Sequence, residues 1–231
     1  MQFSRKINPF SFYIWVVSFK GGNIRDLYEI LDHTEKEKAN KYINKSSKRN
    51  YIVIHAYLRK ILSFYFCDIP PSSWRFKSLK CGRPVLDMVD FFCYFSISKA
   101  NGCGSILISM QKNAAIDIEQ RRIIALDKEI IKMVFTSKEK KIYTTQVNKH
   151  DFFIQLWTLK EAHFKALETG LTCNMLNEVD FSHILSSSKV EDLARIKNYY
   201  SVWIVKNEYF LSLAVLNGKV RKIFLLSTDL L

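Results

Sequence analysis

The sequence predicts an α+β protein built as two halves, and three observations carry that prediction. Short runs of alternating apolar and polar residues, the pattern of strands, are interleaved with longer stretches whose apolar residues recur at helical spacing. The run Thr34-Glu35-Lys36-Glu37-Lys38 is echoed by Thr136-Ser137-Lys138-Glu139-Lys140, each ahead of a long helical pattern; at the same offset Arg59 falls on Glu161. A chain of 231 residues with only 7 glycines and 4 prolines can bury a sizeable core but has little length to spare for linkers. A boundary near Lys112 then separates an N-terminal half, 1–112, from a C-terminal half, 113–231.

Taken in order, Phe12–Phe19 is rich in aromatic and β-branched residues and reads as a strand, with Gly21-Gly22 as its turn. Asn23 can cap a short helix through Leu31, and Thr34-Glu35-Lys36-Glu37 has the form of a capping box. Ser46 or Ser47 opens a long helix to about Phe66, with Tyr51, Ile54, Leu58, Ile61 and Leu62 on its apolar face; Pro70-Pro71 ends that region. Trp74–Lys77 and Phe91–Ile97 read as strands on either side of a Cys81-Gly82-Arg83-Pro84 turn. Asn101-Gly102 turns into a strand at Ser105–Met110, and Lys112-Asn113 into another at Ala114–Glu119. Beyond Arg121-Arg122 the pattern is helical: Asp127 caps a helix to Val134, and Thr136-Ser137-Lys138-Glu139 is a second capping box. The helix from Phe152 stops at Thr169-Gly170. Tyr199–Val205, Tyr209–Leu216 and Val220–Leu226 are strands, turning at Asn207 and at Asn217-Gly218.

Composition narrows the function. A formal net charge of +13 points to an acidic partner: nucleic acid, an anionic surface, a phosphate-rich small molecule or an acidic protein. No zinc-ligand spacing, RNP-type run or arginine-rich arm accompanies that charge. Five scattered cysteines without a C-x-x-C pair suit free thiols in a reducing cytoplasm. The apolar run Phe10–Phe19 lacks a small-x-small cleavage site, and no run has the length of a membrane span.

Two stretches carry chemistry. In Ala114–Glu119, AAIDIE, a side-chain period of two puts Ile116 and Ile118 on one face and Asp117 and Glu119 on the other. Two carboxylates on one strand face repel unless a cation lies between them, and an oxygen-only set suits Mg²⁺ rather than zinc. In Phe152–Leu171, FFIQLWTLKEAHFKALETGL, Phe153, Leu156, Trp157, Phe164 and Leu167 mark an amphipathic helix. Lys160 falls amid its apolar face, and Glu161 and Lys165 lie one turn apart on its flank. An ion pair on a solvated flank is the plain reading of that pair.

Together these stretches resemble the 4'-phosphopantetheinyl transferases of the larger, monomeric, surfactin-synthetase-activating type. The family pattern of a (G/A)-I-D-I-E strand, then W-(S/T)-x-K-E-(A/S)-x-x-K, then G-L, is met by Ala115–Glu119, Trp157–Lys165 and Gly170-Leu171. Thr34–Leu62 resembles the family's basic helical segment, Gly82-Arg83-Pro84 its G-K-P, and Phe95–Lys99 its F-N-I-S-H. The resemblance implies two pseudo-two-fold-related α+β halves, each a small mainly antiparallel sheet with packed helices, and an active site between them. It implies Mg²⁺-dependent transfer of 4'-phosphopantetheine from coenzyme A to a serine of an apo acyl, peptidyl or aryl carrier protein, by a cytoplasmic monomer. On the matching positions, Asp117, Glu119 and Glu161 would hold the metal, and Glu161, directly or through a water, would be the base. Lys160 and Lys165 are the two motif lysines, with Lys165 reaching phosphate. Lys38 and Arg49 resemble the residues on the 3'-phosphate, and Arg83, Ser98 and Lys99 further coenzyme A contacts. Arg59 resembles a structural arginine. Two departures stand out: Lys99 occupies the family's histidine position, and Ser96 the place of a common asparagine. The competing classes are a basic nucleic-acid-binding domain and a catalytically silent relative that binds carriers as a scaffold. The enzyme reading implies no nucleic-acid or membrane partner, and assigns the excess positive charge to an acidic carrier.

Overall fold

The computed structural model describes residues 7–79, 82–88, 92–169, 173–186 and 198–231. The strands are β1 (Ser11–Ser18), β2 (Phe76–Ser78), β3 (Pro84–Leu86), β4 (Tyr94–Ala100), β5 (Cys103–Ser109), β6 (Ala114–Gln120), β7 (Asn198–Val205), β8 (Tyr209–Leu216) and β9 (Lys222–Ser227). The helices are α1 (Ile24–Glu29), α2 (His33–Asn40), α3 (Lys45–Tyr65), α4 (Lys128–Val134), α5 (Ser137–Thr145), α6 (Lys149–Leu167) and α7 (Ser182–Ser186). This is the mixed α+β class that the sequence predicts. The chain divides into two compact units: one runs to Lys112 and takes in Arg221–Leu231, and the other is Asn113–Val220. No described helix is long and apolar enough to cross a membrane.

The first unit has a four-stranded sheet in the order β4-β5-β1-β9, and a separate β2–β3 hairpin. Helix α3 packs on this sheet, and Gly104 of β5 shows how closely. A Cβ there would come within 2.7 Å of both the Ile54 side chain of α3 and the Phe19 ring. Trp15 and Val17 of β1, Ile106 and Ile108 of β5, and Ile54, Leu58, Ile61 and Leu62 of α3 make the centre of this core. The last strand corrects the sequence reading, which leaves it in the C-terminal half. β9 lies parallel to β1, from Ser11 opposite Lys222 to Val16 opposite Ser227, and Phe224 stacks on Tyr13. Alternation marks a strand but carries no address for its partner.

The second unit has a three-stranded antiparallel sheet, β6-β8-β7, with α6 packed on β6 and β8. Small residues set the approach: Ala115 of β6 and Ala214 of β8 face each other across the strands and meet Ala162 and Ala166 of α6. A buried hydroxyl pair, Thr158 of α6 to Ser212 of β8 at 2.7 Å, fixes the helix against the strand beside Asp117.

Helix starts follow side-chain caps, with two corrections. Asn23, Asp127 and Thr136 cap α1, α4 and α5, and Thr136 with Glu139 forms the expected capping box. In the first unit the box is Asp32 with Glu35, not Thr34 with Glu37. Asn44, ahead of the two serines, caps α3. α6 ends with Glu168 in a left-handed conformation at φ 59°, two residues short of Gly170; Gly170 and Leu171 lie outside the described residues.

Candidate active site

The second unit gathers its carboxylates where α6 crosses β6. Asp117 and Glu119 share a strand face, as the period predicts, but that face lies under α6 rather than in water. Asp117 is 3% exposed. Helix α6 is buried almost all round, and Trp157, Glu161 and Lys165, each one turn from the next, form a half-buried stripe on it. Trp157, expected in the core, belongs to this stripe, and Leu167 is exposed. Lys165 reaches across to Asp117, its Nζ 2.5 Å from Oδ1. Arg122 lies 3.9 Å from Glu119.

The fields in this cluster are strong. Burial first, then the neighbouring charge of Asp117, pushes the Glu119 carboxyl up from its ordinary value to about 7. Burial likewise raises Glu161, against the lowering pull of Lys165 and with Asp117 adding to the rise. Carboxylates that raise one another's pKa would gain from an added cation. Their hard oxygen donors suit Mg²⁺, so the donor set fits that ion. The described side chains do not close around one, however: no group of three or more histidine, cysteine, aspartate or glutamate side chains among them is arranged to hold a metal. A cavity of about 370 Å³ opens beside Glu119 and Arg122, walled by Ile130, Met133, Phe153 and Trp157. Nothing in the sequence marks this cavity, because its walls come from α4, α6 and the chain after β6.

The two motif lysines part company. Lys160, expected at coenzyme A, is fully buried. Its ammonium has four oxygens around it: Glu139 Oε2 at 2.8 Å and the carbonyls of Val134, Leu176 and Val179 at 2.7, 2.6 and 3.0 Å. With three N–H donors engaged by four acceptors it has no donor left for a phosphate. Its chemistry is that of a buried cross-link between α6, α4 and the chain before α7. Glu139, the second half of that pair, was legible only as a capping residue. It keeps that role at Thr136 N and also accepts from Phe181 N.

The first-unit residues that the resemblance assigns to phosphate lie in different settings. Arg49 donates from Nε to Phe19 O at 2.8 Å and from Nη2 to Gly21 O at 3.1 Å, so its guanidinium ties down the turn after β1. Arg83 donates to Phe95 O at 3.1 Å. Ser98 and Lys99 are neighbours on β4 and point to opposite faces; Ser98 is buried, whereas Lys99 is exposed. Lys99 and Lys38, from β4 and α2, bring their ammoniums to the same ring, each 5.7 Å from the centroid of Tyr51. Tyr51, read from the sequence only as a core residue of α3, is thus the meeting point of two expected ligand contacts. Beneath them Arg59 behaves as the resemblance implies: fully buried, with hydrogen bonds to Glu35, Asp32, Pro71 O and Trp74 O. Among the described residues Cys67, Cys93 and Cys103 are free thiols.

Residues 114–214, which include β6 and α6, match the 4'-phosphopantetheinyl transferase superfamily. The chain is 23% identical over 163 residues to the 4'-phosphopantetheinyl transferase HetI of Nostoc sp., an alignment covering 69% of this chain and 68% of that protein. It is 29% identical over 143 residues to the 4'-phosphopantetheinyl transferase gsp of Aneurinibacillus migulanus, covering 59% of this chain and 56% of that one. The match and both relatives support a 4'-phosphopantetheinyl transferase.

Proposed function

We propose that this chain, whose residues 114–214 carry the 4'-phosphopantetheinyl transferase domain, moves the 4'-phosphopantetheine group of coenzyme A onto a serine of an apo acyl, peptidyl or aryl carrier protein. Adenosine 3',5'-bisphosphate is the other product. The observation that carries this reading is the half-buried Trp157–Glu161–Lys165 stripe of α6 set against Asp117 and Glu119 of β6. Displacement at a pyrophosphate phosphorus needs charge neutralisation, a positioned nucleophile and a proton acceptor, and little covalent chemistry from the protein. Asp117, Glu119 and Glu161 would hold Mg²⁺, which when bound neutralises charge gathering on the pyrophosphate. Lys165, the one motif lysine on the open stripe, pairs with phosphate there. Glu161, its pKa raised by burial, takes the serine proton directly or through a water. Lys38 and Lys99 hold phosphate from the first unit, while Arg49, Arg83 and Ser98 shape the segments around them. Lys160 supports the site from within the core.

The net charge of +13 also supports an acidic carrier as the protein partner, steered by exposed lysines such as Lys128, Lys132, Lys138 and Lys141. The enzyme should release adenosine 3',5'-bisphosphate from coenzyme A only when an apo carrier is present. Release independent of any carrier would make it a hydrolase of coenzyme A. No release with a broad panel of carriers would return the basic nucleic-acid-binding reading.

A further inference from the structure

Lys38 and Lys99 come from different elements, α2 and β4, yet their ammoniums lie no more than twice 5.7 Å apart, because both sit at that distance from the centroid of Tyr51. Both belong to exposed residues, whereas Tyr51 is only 3% exposed. The ring is fixed from below. His55, one turn on along α3, stacks on it with centroids 4.1 Å apart, and its Nδ1 lies 2.9 Å from Glu35 Oε1. Glu35 is in turn held by the buried Arg59 at 2.8 Å. The Tyr51 ring therefore cannot swing without disturbing a buried ion-pair network. Both lysines also act on His55, whose imidazole is held below its ordinary pKa by burial and by their charges, against the pull of Glu35.

Two ammoniums gathered at one aromatic surface repel each other. The π-face offsets that repulsion in part. A ligand with two negative charges on one phosphorus would suit such a pair of cations. In coenzyme A the pyrophosphate carries a single charge on each phosphorus, and only the 3'-phosphate is a monoester with a second ionisation near neutral pH. We infer that Tyr51 is a positioning residue: its fixed ring gathers Lys38 and Lys99 into a pair that selects the 3'-phosphate monoester of coenzyme A. This rests on the proposed use of coenzyme A as donor. It adds the residue that turns two separate surface lysines into one dianion site, and it makes preference for the 3'-phosphate depend on an aromatic ring at position 51.

The test is calorimetric binding of coenzyme A and of 3'-dephospho-coenzyme A, in Mg²⁺, to the full chain and its variants. Tyr51→Phe should keep the wild-type preference for coenzyme A, because the ring remains. Tyr51→Met, which stays apolar but removes the ring, should reduce that preference about fivefold to thirtyfold, as expected for two cation–π contacts of ~0.5–1 kcal/mol each. Lys38→Gln and Lys99→Gln are surface changes that need no refolding of the core. Each should reduce the preference, and the double variant should lose little beyond the more damaging single one, because both lysines serve one phosphate. If Tyr51→Met proves unfolded, this lysine cycle decides. Strict additivity of the two lysines, or a Tyr51→Met protein that keeps the full preference, overturns the inference. If the wild type binds neither nucleotide, the donor assignment itself fails, an outcome distinct from binding both without preference, which overturns the Tyr51 inference alone.

Discussion

The two units lock their long helix with the same device and then use it for opposite ends. In the first, Arg59 of α3 is buried against Glu35, the capping-box carboxylate of α2, and against Asp32, the cap itself. In the second, Lys160 of α6 is buried against Glu139, the capping-box carboxylate of α5. Each glutamate thus begins a helix and holds a cation from the next long one. The arginine lock makes four hydrogen bonds, to two carboxylates and two carbonyls; the lysine lock uses one carboxylate and three carbonyls. Around the locks the surfaces diverge. The first unit presents cations at Tyr51, and the second gathers carboxylates at the α6–β6 crossing. A charge inside a recognisable motif need not be a site. Lys160 lies next to Glu161 in sequence and serves the scaffold, whereas Lys165 one turn on faces Asp117.

The largest expected effect is on the locks. Arg59→Met and Lys160→Met should each cost about 3–5 kcal/mol of stability in urea unfolding, because each strands a buried carboxylate. Arg59→Met should be the worse, since it removes the partner of Asp32 as well as that of Glu35. A Lys160→Met protein as stable as the wild type would break the parallel.

Next come the carboxylates. Glu161→Ala should reduce transfer by about a hundredfold or more, the usual loss when a preorganised charge contact at a reacting group is removed, with unfolding little changed. Lys165→Met should do likewise. Kinetics beside urea curves would separate this class from the lock residues. Equal losses of stability in both classes would erase the distinction between them.

A smaller effect concerns pH. The folded-state pKa of Glu119 is raised, so the folded chain binds a proton there that the unfolded chain has released. Stability from this group is present at low pH and is lost as pH rises from its ordinary value of 4.5 to about 7. The difference in melting temperature between wild type and Glu119→Gln should therefore open across that window in chelator and shrink in Mg²⁺. A pH-independent difference would place Glu119 outside the cluster's field. The smallest effect is on docking. Lys138→Glu with Lys141→Glu, and added salt, should raise the KM for the carrier by a few-fold and leave that for coenzyme A nearly unchanged, since exposed pairs are screened first. A rise confined to coenzyme A would assign the basic surface another task.

Much of this was legible where the signal is local. The AAIDIE strand, its Asp117/Glu119 face and the Thr136 capping box follow from periods and short spacings. The Asp32 cap was not, because D-H-T-E-K-E offers two registers, and the one adopted is where Glu35 meets Arg59. The sequence echo also pairs Arg59 with Glu161, whereas the structure gives the role of Arg59 to Lys160. Lys160, Tyr51 and the partner of β9 were hidden for one reason: each is defined by contacts with segments distant in sequence, which no local pattern records.

Phosphopantetheinyl transfer is the proposed work of the α6 stripe and the β6 carboxylates. The most direct measurement is intact-mass analysis of apo carrier proteins incubated with coenzyme A, Mg²⁺ and either the wild type or Asp117→Ala. The wild type should add one phosphopantetheine to the serine of at least one carrier, and Asp117→Ala should add none in the same time. Carriers left unmodified by the wild type, or modified equally by both proteins, would contradict that assignment.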